Sequence, residues 1–244
     1  MRVLTYNVHS CRGTDGKLSP ERIGEVIAAS GADVACIQEL DVGRKRTDLV
    51  HQVEAIAKPL AMHFHFLPAI RIAEEEYGDA ILSRFPMSVI RKGELPRPSK
   101  LVEPRGALWV EIEAEGTRWQ VLNTHLGLGR GERRKQARAL AEWIDAALLK
   151  SPVVFCGDLN SRTGSLVHTL LGAGLQEAQL AANGVQERTF STGFPWICLD
   201  YIYVSPDVRV VSSAVLTDPL ARVASDHFPL IAELHRHELS QGAI

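Results

Sequence analysis

Cysteine is scarce and scattered in this chain: Cys11, Cys36, Cys156 and Cys198 form no C-x-x-C pair, and the histidines fall at no zinc-ligand spacing either. Both facts argue against a structural zinc site. Cys36 and Cys156 lie inside the apolar runs Val34-Ala-Cys-Ile37 and Val153-Val-Phe-Cys156. They read as buried reduced thiols, which predicts a cytoplasmic protein. No apolar stretch approaches the ~20 residues of a membrane span, and the strand-like run Arg2-Val-Leu-Thr-Tyr6 at the start predicts that no signal peptide precedes the fold. Excess positive charge is also missing. With 27 Lys and Arg against 29 Asp and Glu the net charge is −2, so nothing in the total demands duplex nucleic acid. The segment Gly127-Leu-Gly129-Arg-Gly131 invites a dinucleotide reading, but the glycine that a G-x-G-x-x-G motif needs is replaced by Glu132, and no Gly-Lys-Ser/Thr is present. It is expected to be a mobile loop whose Arg130 or Arg133 reaches substrate. No G-x-S-x-G elbow marks a serine hydrolase.

What is present is a soluble globular composition, 45% hydrophobic and 23% charged over 244 residues, enough for a sizeable core. Strand-like runs dominate: Arg2–Tyr6, Val34–Gln38, Met62–Leu67, Ala80–Ser83, Ala107–Ala114, Trp119–Thr124, Val153–Cys156, Tyr201–Val204, Val208–Ala214 and Pro229–Leu234. Glu115-Gly116 predicts a hairpin between the fifth and sixth. Helices are predicted over Pro20–Ser30, with Ser19 as N-cap and Gly31 beyond its end, and over Glu132–Leu149, where Ala137, Leu140, Ala141, Ile144 and Leu148 recur at helical spacing. Shorter ones are expected near Gln52–Leu60 and Ser165–Leu171. No repeat or linker splits the chain, so residues 1–244 are expected to form a single α/β domain of two packed sheets, with a frayed tail over about 236–244.

The polar residues cluster against those strands. Asn7, Glu39 and His125 directly follow strand-like runs, and Asp158 and Asn160 follow Val153–Gly157. Asp200 and the pair Asp226-His227 instead precede strands. Residues after some strands and before others share one rim only if the strands run antiparallel, which a mixed, hairpin-rich sandwich provides. A single Asp or Asn beside a strand is ordinarily a turn former. The set is different: carboxylates abutting apolar strands are costly unless a cation or hydrogen bonds satisfy them, and carboxylates with amide oxygens suit a hard divalent ion such as Mg²⁺ or Mn²⁺.

Seven segments, Thr5-Tyr-Asn-Val-His9, Ile37-Gln-Glu39, Ile81-Leu-Ser-Arg84, Asn123-Thr-His-Leu126, Cys156-Gly-Asp-Leu-Asn160, Leu199-Asp-Tyr-Ile202 and Ser225-Asp-His227, give the chain its resemblance to the endonuclease/exonuclease/phosphatase superfamily, the deoxyribonuclease-I-like fold. They follow the family's order and span nearly the whole chain. The resemblance implies a four-layer αββα sandwich of two mostly antiparallel mixed sheets, with the active site at one end. It also implies a Mg²⁺- or Mn²⁺-dependent phosphoric ester hydrolase. In that reading Glu39 is the principal metal ligand, helped by Asn7 and Asp226. His227, oriented by Asp200, contacts the scissile phosphate or acts as base. Asp158, backed by Asn160, orients or deprotonates water, and His125 donates to a phosphate oxygen or protonates the leaving group. Arg105 and Arg130 are candidate phosphate contacts. Two departures from the family pattern stand out: Asp79 where an Asn is common, and Cys198 where many members carry an arginine. The family covers nucleases, inositol-polyphosphate phosphatases, sphingomyelin-type phosphodiesterases and small-molecule hydrolases. With little chain beyond the core to grip a duplex, the expected substrate is a small-molecule or lipid-headgroup phosphoester, with nucleic acid as the alternative, and the expected state is a monomer. A member that has lost catalysis and only binds a partner is the contrasting possibility.

Overall fold

The computed structural model describes residues 1–150 and 152–237; the expected frayed tail lies outside the described residues from 238 onward. In chain order the elements are β1 (Arg2–Asn7), α1 (Pro20–Ser30), β2 (Val34–Val42), α2 (Gln52–Ala57), β3 (His63–Ile72), β4 (Glu75–Ser83), β5 (Met87–Glu94), β6 (Gly106–Ala114) and β7 (Thr117–His125). There follow α3 (Arg130–Leu148), β8 (Val153–Asp158), α4 (Leu166–Leu171), β9 (Gln176–Glu177), α5 (Ala178–Asn183), β10 (Asp200–Val204), β11 (Val208–Val215), α6 (Pro219–Ala224) and β12 (Leu230–Arg236). The strands form two six-stranded sheets, ordered β11-β12-β1-β2-β4-β3 and β5-β6-β7-β8-β10-β9. Only β1–β2 and β7–β8 run parallel, each joined by a helical crossover, α1 or α3. The other pairings are antiparallel, which is the mixed sandwich the sequence predicts.

Period-two alternation decides which side chains lie between the sheets. Along β7, Val121 joins the interior that also holds Cys36, Ile81, Val110 and Ile202, whereas Leu122 faces the other way. Leu122, Phe155 and Tyr201 pack instead on Leu140 and Ile144 of α3, so the second sheet is apolar on both faces. On the first sheet, Ile23 and Ile27 of α1 and Val53 and Ile56 of α2 complete the packing. Helix α1 has the ends its sequence calls for. The Ser19 side chain accepts from the Arg22 amide at 3.2 Å, and Gly31 closes the helix at φ 65°.

The differences from the sequence reading have local causes. Helix α3 starts at Arg130, two residues early, because Glu132 reaches back to the Gly129 amide at 3.4 Å. Helix α2 stops at Ala57: Lys58 keeps helical geometry as its cap, but Pro59 has no amide hydrogen with which to continue the ladder. The hairpin β3–β4 runs on through the charged segment Glu74–Glu76, whose backbone pairing needs no apolar side chains. Strand β5 is absent from the sequence reading because Arg91, Lys92 and Gly93 hide its alternation at the sheet edge.

Between the sheets the apolar packing is interrupted by one polar cluster. The Gln38 amide donates to Asn123 Oδ1 at 2.7 Å and to Thr5 Oγ1 at 3.1 Å, joining the two sheets, and all three residues are fully buried. The Asn123 amide in turn donates to the carbonyls of Ile37 and Ala80 at 3.1 and 2.9 Å. The pairing of β2 with β4 breaks directly after Ile37↔Ala80 and resumes only at Leu40. Asn123 therefore satisfies the strand carbonyls that the break leaves over. Asn123→Ala should strand those two carbonyls, while the Gln38 amide keeps Thr5 Oγ1 and the Cys36 carbonyl as acceptors. At ~1–3 kcal/mol for each buried unpaired group, urea denaturation should show a loss of at least about 2 kcal/mol. A loss within error of zero would remove the cluster from any structural role.

Candidate active site

The break in β2 is what presents Glu39. Instead of following a strand, Glu39 sits inside one, at the bulge, with φ 64°. A non-glycine residue in this left-handed region carries a strain of about 1–3 kcal/mol and persists where its surroundings hold it. Here Asp79 of β4 does so: its Oδ1 accepts from the Glu39 amide at 3.3 Å. Asp79 is buried, and that burial pushes its pKa up to about 7 against the lowering pull of Arg105.

Register assembles the second sheet's contribution. His125 and Asp158 are the last residues of parallel neighbours and lie opposite one another, and Asp158 lies opposite Asp200 on the antiparallel β10. Asn7, at the end of β1, reaches across from the first sheet. Its Nδ2 donates to Glu39 Oε1 and to Asp158 Oδ2, both at 3.0 Å, and its Oδ1 accepts from the His9 amide at 3.1 Å. The oxygen of Asn7 is thus turned away from Glu39, and a metal beside Glu39 gains it only if the amide turns over. Asp158 Oδ2 also lies 3.5 Å from His125 Nε2 and 3.7 Å from His227 Nε2, while its Oδ1 accepts from the Asn160 amide at 2.8 Å. Burial is the largest influence on Asp158 and raises its pKa; His227 opposes this and Asp200 adds to it.

The two histidines are held differently. His227 Nδ1 bonds Asp200 Oδ2 at 2.8 Å, with Asp200 fully buried behind it. Burial works against a charged His227, but Asp200, Asp158 and Asp226 outweigh it and push its pKa up to about 10. The Phe190 ring packs on the imidazole with centroids 4.7 Å apart. His125 Nδ1 faces the Arg105 guanidinium at 3.1 Å. Arginine only donates, so Nδ1 accepts and the proton of the neutral ring sits on Nε2, 3.5 Å from Asp158 Oδ2; Asn160 Nδ2, also a donor and 3.0 Å from that nitrogen, is left to donate to the Leu126 carbonyl. Burial, Arg105 and His227 all hold the His125 pKa well below its usual value.

Of the sequence-predicted residues, Asn7, Glu39, His125, Asp158, Asn160, Asp200 and His227 come together in one hydrogen-bonded or ion-paired network, joined by Arg105. Arg105, the candidate phosphate contact, pairs with Glu103 at 2.8 Å and faces His125 Nδ1 at 3.1 Å. Asp226 stands beside the network, half-buried, and acts on His227 through its charge. Arg130 is exposed at the first turn of α3, outside the network. The loop before it is tied down: Gln136 accepts from the Gly127 amide at 2.8 Å, and Arg133 donates to the carbonyls of Gly127 and Leu128. Cys198 lies behind the site, its thiol 3.4 Å from the Asp200 carbonyl. The stretch from Thr189-Phe to Leu199-Asp, with Trp196, resembles that of small bacterial members, but sequence assigned no site role to Phe190 or to Thr189, whose hydroxyl accepts from the amides of Leu199 and Asp200; a Thr-Phe pair in a loop carries no periodic signal. Beside Glu39 opens a cleft of about 330 Å³ lined by Arg12, Arg46, Tyr77 and Arg105. A cavity twice that size, about 650 Å³, lies at the opposite end of β7 around Met1 and Thr117 and holds none of these groups. Chemistry, not volume, marks the site.

A model of the Endonuclease/Exonuclease/phosphatase family matches residues 4–227. The uncharacterized protein YbhP of Escherichia coli K12 is 31% identical, with 96% of each chain covered. Among solved structures, an endonuclease/exonuclease/phosphatase from Beutenbergia cavernae superposes with a TM-score of 0.79 at 22% identity, covering 97% of this chain and 71% of that one. A mannosyl-6-phosphatase of Bacteroides thetaiotaomicron superposes with a TM-score of 0.78 at 20% identity, covering 96% and 99%.

Gly157 shows why the segment before Asp158 needs glycine. It adopts φ 152°, and a Cβ there would sit 2.0 Å from the Thr124 carbonyl oxygen. Gly157→Ala should push β8 away from β7 one residue below both His125 and Asp158. The expected result is a lower Tm together with at least a tenfold loss of kcat in whatever protein still folds. Full activity and unchanged Tm would contradict the close approach.

Proposed function

The chain belongs to the endonuclease/exonuclease/phosphatase family, and from that premise we propose that it hydrolyses a phosphoester with the help of a divalent cation, Mg²⁺ or Mn²⁺. The observation that carries this reading is Asp158 Oδ2, where the Asn7 amide and the Nε2 atoms of both histidines converge within 3.7 Å. A structural cluster has no use for a carboxylate held among two imidazoles at an open rim. A water activated for in-line attack on phosphorus needs such a group.

The donor set fits a hard cation. Glu39, Asp79, Asp158, Asp200 and Asp226 crowd the rim, the Glu39 side chain keeps 22% of its surface exposed, and burial alone lifts Asp79 toward neutrality. Carboxylates placed against such a cost are what a divalent ion offsets. Glu39 would hold the ion, with Asp226 and the turned amide of Asn7, and the ion would supply Lewis acidity toward the phosphoryl oxygens.

The chain's own residues divide the remaining work. Asp158, fixed by Asn7 and the Asn160 amide, orients the attacking water and takes its proton. His227, flanked by Asp200 at Nδ1 and Asp158 at Nε2, keeps its protons and donates to a phosphoryl oxygen. His125 presents its Nε2 proton toward the same place, steadied by Arg105 behind it and by Asn160. The substrate we favour is a small-molecule or lipid-headgroup phosphoester rather than duplex DNA. A net charge of −2 supports this, as does the mannosyl-6-phosphatase neighbour, whose chain this one covers to 99%: a phosphatase on this fold needs no added grip. The free thiols, three of them buried, support a cytoplasmic setting, and we take the enzyme to work as a monomer.

Activity on phosphoesters should vanish in EDTA and return with Mg²⁺ or Mn²⁺; full turnover in chelator would refute the metal. His227→Ala and Asp158→Ala should each lower kcat by about 10²–10⁴, and near-wild-type rates in both would move the active site elsewhere. For substrate class, kcat/KM on small phosphate esters and lipid-headgroup esters is compared with that on plasmid and abasic DNA at one Mg²⁺ concentration. A hundredfold preference for DNA would overturn the small-substrate reading.

A further inference from the structure

The neutral total of the chain conceals a strongly basic groove. Next to the site, the first turn of α3 and the segment after Asn160 enclose about 500 Å³ lined by Arg130, Arg133, Arg134 and Arg162, together with Ser161 and Ser165. No carboxylate lines it, and none of the four arginines makes an ion pair among the described residues. The neighbouring acid, Glu132, is buried and turned inward, bonded to Gln136 at 3.1 Å and to the Gly129 amide. Two of the arginines are positioned by the fold. Arg133 is held by the carbonyls of Gly127 and Leu128, and the Arg162 guanidinium lies 5.3 Å from the centre of the Trp196 ring. Ser161, which lines the groove, directly follows Asn160, so the groove lies beside the segment that carries Asp158 and Asn160.

Helix energetics sharpen the point. Arg130 and Arg133 lie in the first turn of a 19-residue helix and Arg134 follows them; at that end the macrodipole is positive and cations are disfavoured by about 0.3–1 kcal/mol each. Three arginines there, facing a fourth, form an arrangement that self-repulsion opposes and a bound anion relieves. The carbonyls of Gly127 and Leu128 account for Arg133; no hydrogen bond or ion pair among the described residues accounts for Arg130 or Arg134.

We propose that this groove binds a second anionic group of the substrate, a phosphate separate from the one being hydrolysed. The preferred substrates are then esters carrying at least two phosphates, whether a free bisphosphorylated small molecule or a short single strand. This deepens the hydrolase reading above and, for its kinetic consequence, rests on it.

The test has a binding arm that needs no turnover. Metal-free protein is titrated with tripolyphosphate. Wild type should bind, and Arg134→Glu/Arg162→Glu should bind at least tenfold more weakly. Arg118→Glu/Arg209→Glu, the same total charge change at exposed positions that do not line the groove, should bind as wild type does. Equal affinity in all three proteins would overturn the groove. The kinetic arm compares thymidine 5′-(p-nitrophenyl phosphate) with its 3′-phosphorylated form. Wild type should prefer the bisphosphate by about tenfold in kcat/KM, and the double variant should lose that preference; a ratio of one in wild type would overturn the proposal. If neither ester is hydrolysed, the hydrolase reading fails while the titration still decides the groove. A 5′-(p-nitrophenyl phosphate) of a ten-residue oligothymidylate separates the sources: gain over the bisphosphate supports the groove as a strand path, parity supports it as a seat for one free phosphate.

Discussion

A carboxylate with 2% of its side chain exposed must be satisfied from every direction, and the way Asp158 is satisfied organises the end of this sandwich. One oxygen is taken by the Asn160 amide two residues on. The other receives the Asn7 side chain from the opposite sheet and lies within reach of both histidines. Asn7 is the element that cannot be dispensed with, because its two amide hydrogens hold Glu39 and Asp158 together across the gap between the sheets. Without that donor the two acids would repel, and the sheets' rims would part where the chemistry is meant to occur.

The same junction explains a costly feature of the backbone. Glu39 is held at positive φ in a bulge, which interrupts the ladder between β2 and β4. The protein offsets this from two sides. Asp79 accepts from the Glu39 amide, and Asn123, from the other sheet, takes up the carbonyls at the break. Through Gln38 the same Asn123 ties the sheets together one layer beneath the site. Strain, cross-sheet hydrogen bonding and the aim of a carboxylate are one construction. This also gives the departure at position 79 a physical meaning: its oxygen does what an asparagine oxygen could do for the amide, but adds a titratable charge beside Glu39 and Arg105.

Electrostatically the molecule is divided rather than neutral. Acids concentrate at the rim around Asp158 and Glu39, where a cation would offset them, and arginines concentrate beside it along α3, where an anion would do so. The near-balance of 27 basic against 29 acidic residues is the sum of two local imbalances. A phosphoester bound between them would meet both signs of charge within one cleft, which is the arrangement that orients such a substrate.

Much of this was legible in the residues alone. The period-two strands, the capped helix α1 and the neighbouring acids and histidines state the sandwich and its chemistry, since burial of alternate side chains and the needs of helix ends are local properties. The strand-end placement of Asn7, His125 and Asp158 was also readable, because an apolar run stops where its last buried residue stops. Glu39 was read one step wrong: a bulge has no sequence signature, and the strand continues past it to Val42. Strand β5 escaped because an edge strand need bury little. The orientation of the Asn7 amide, the tautomer of His125, the clasp of Asn123 on the broken ladder and the meeting of four arginines from two distant segments were decided only by tertiary structure. Each depends on which groups 20 to 151 positions apart share a few ångströms, and sheet register, not sequence neighbourhood, sets that.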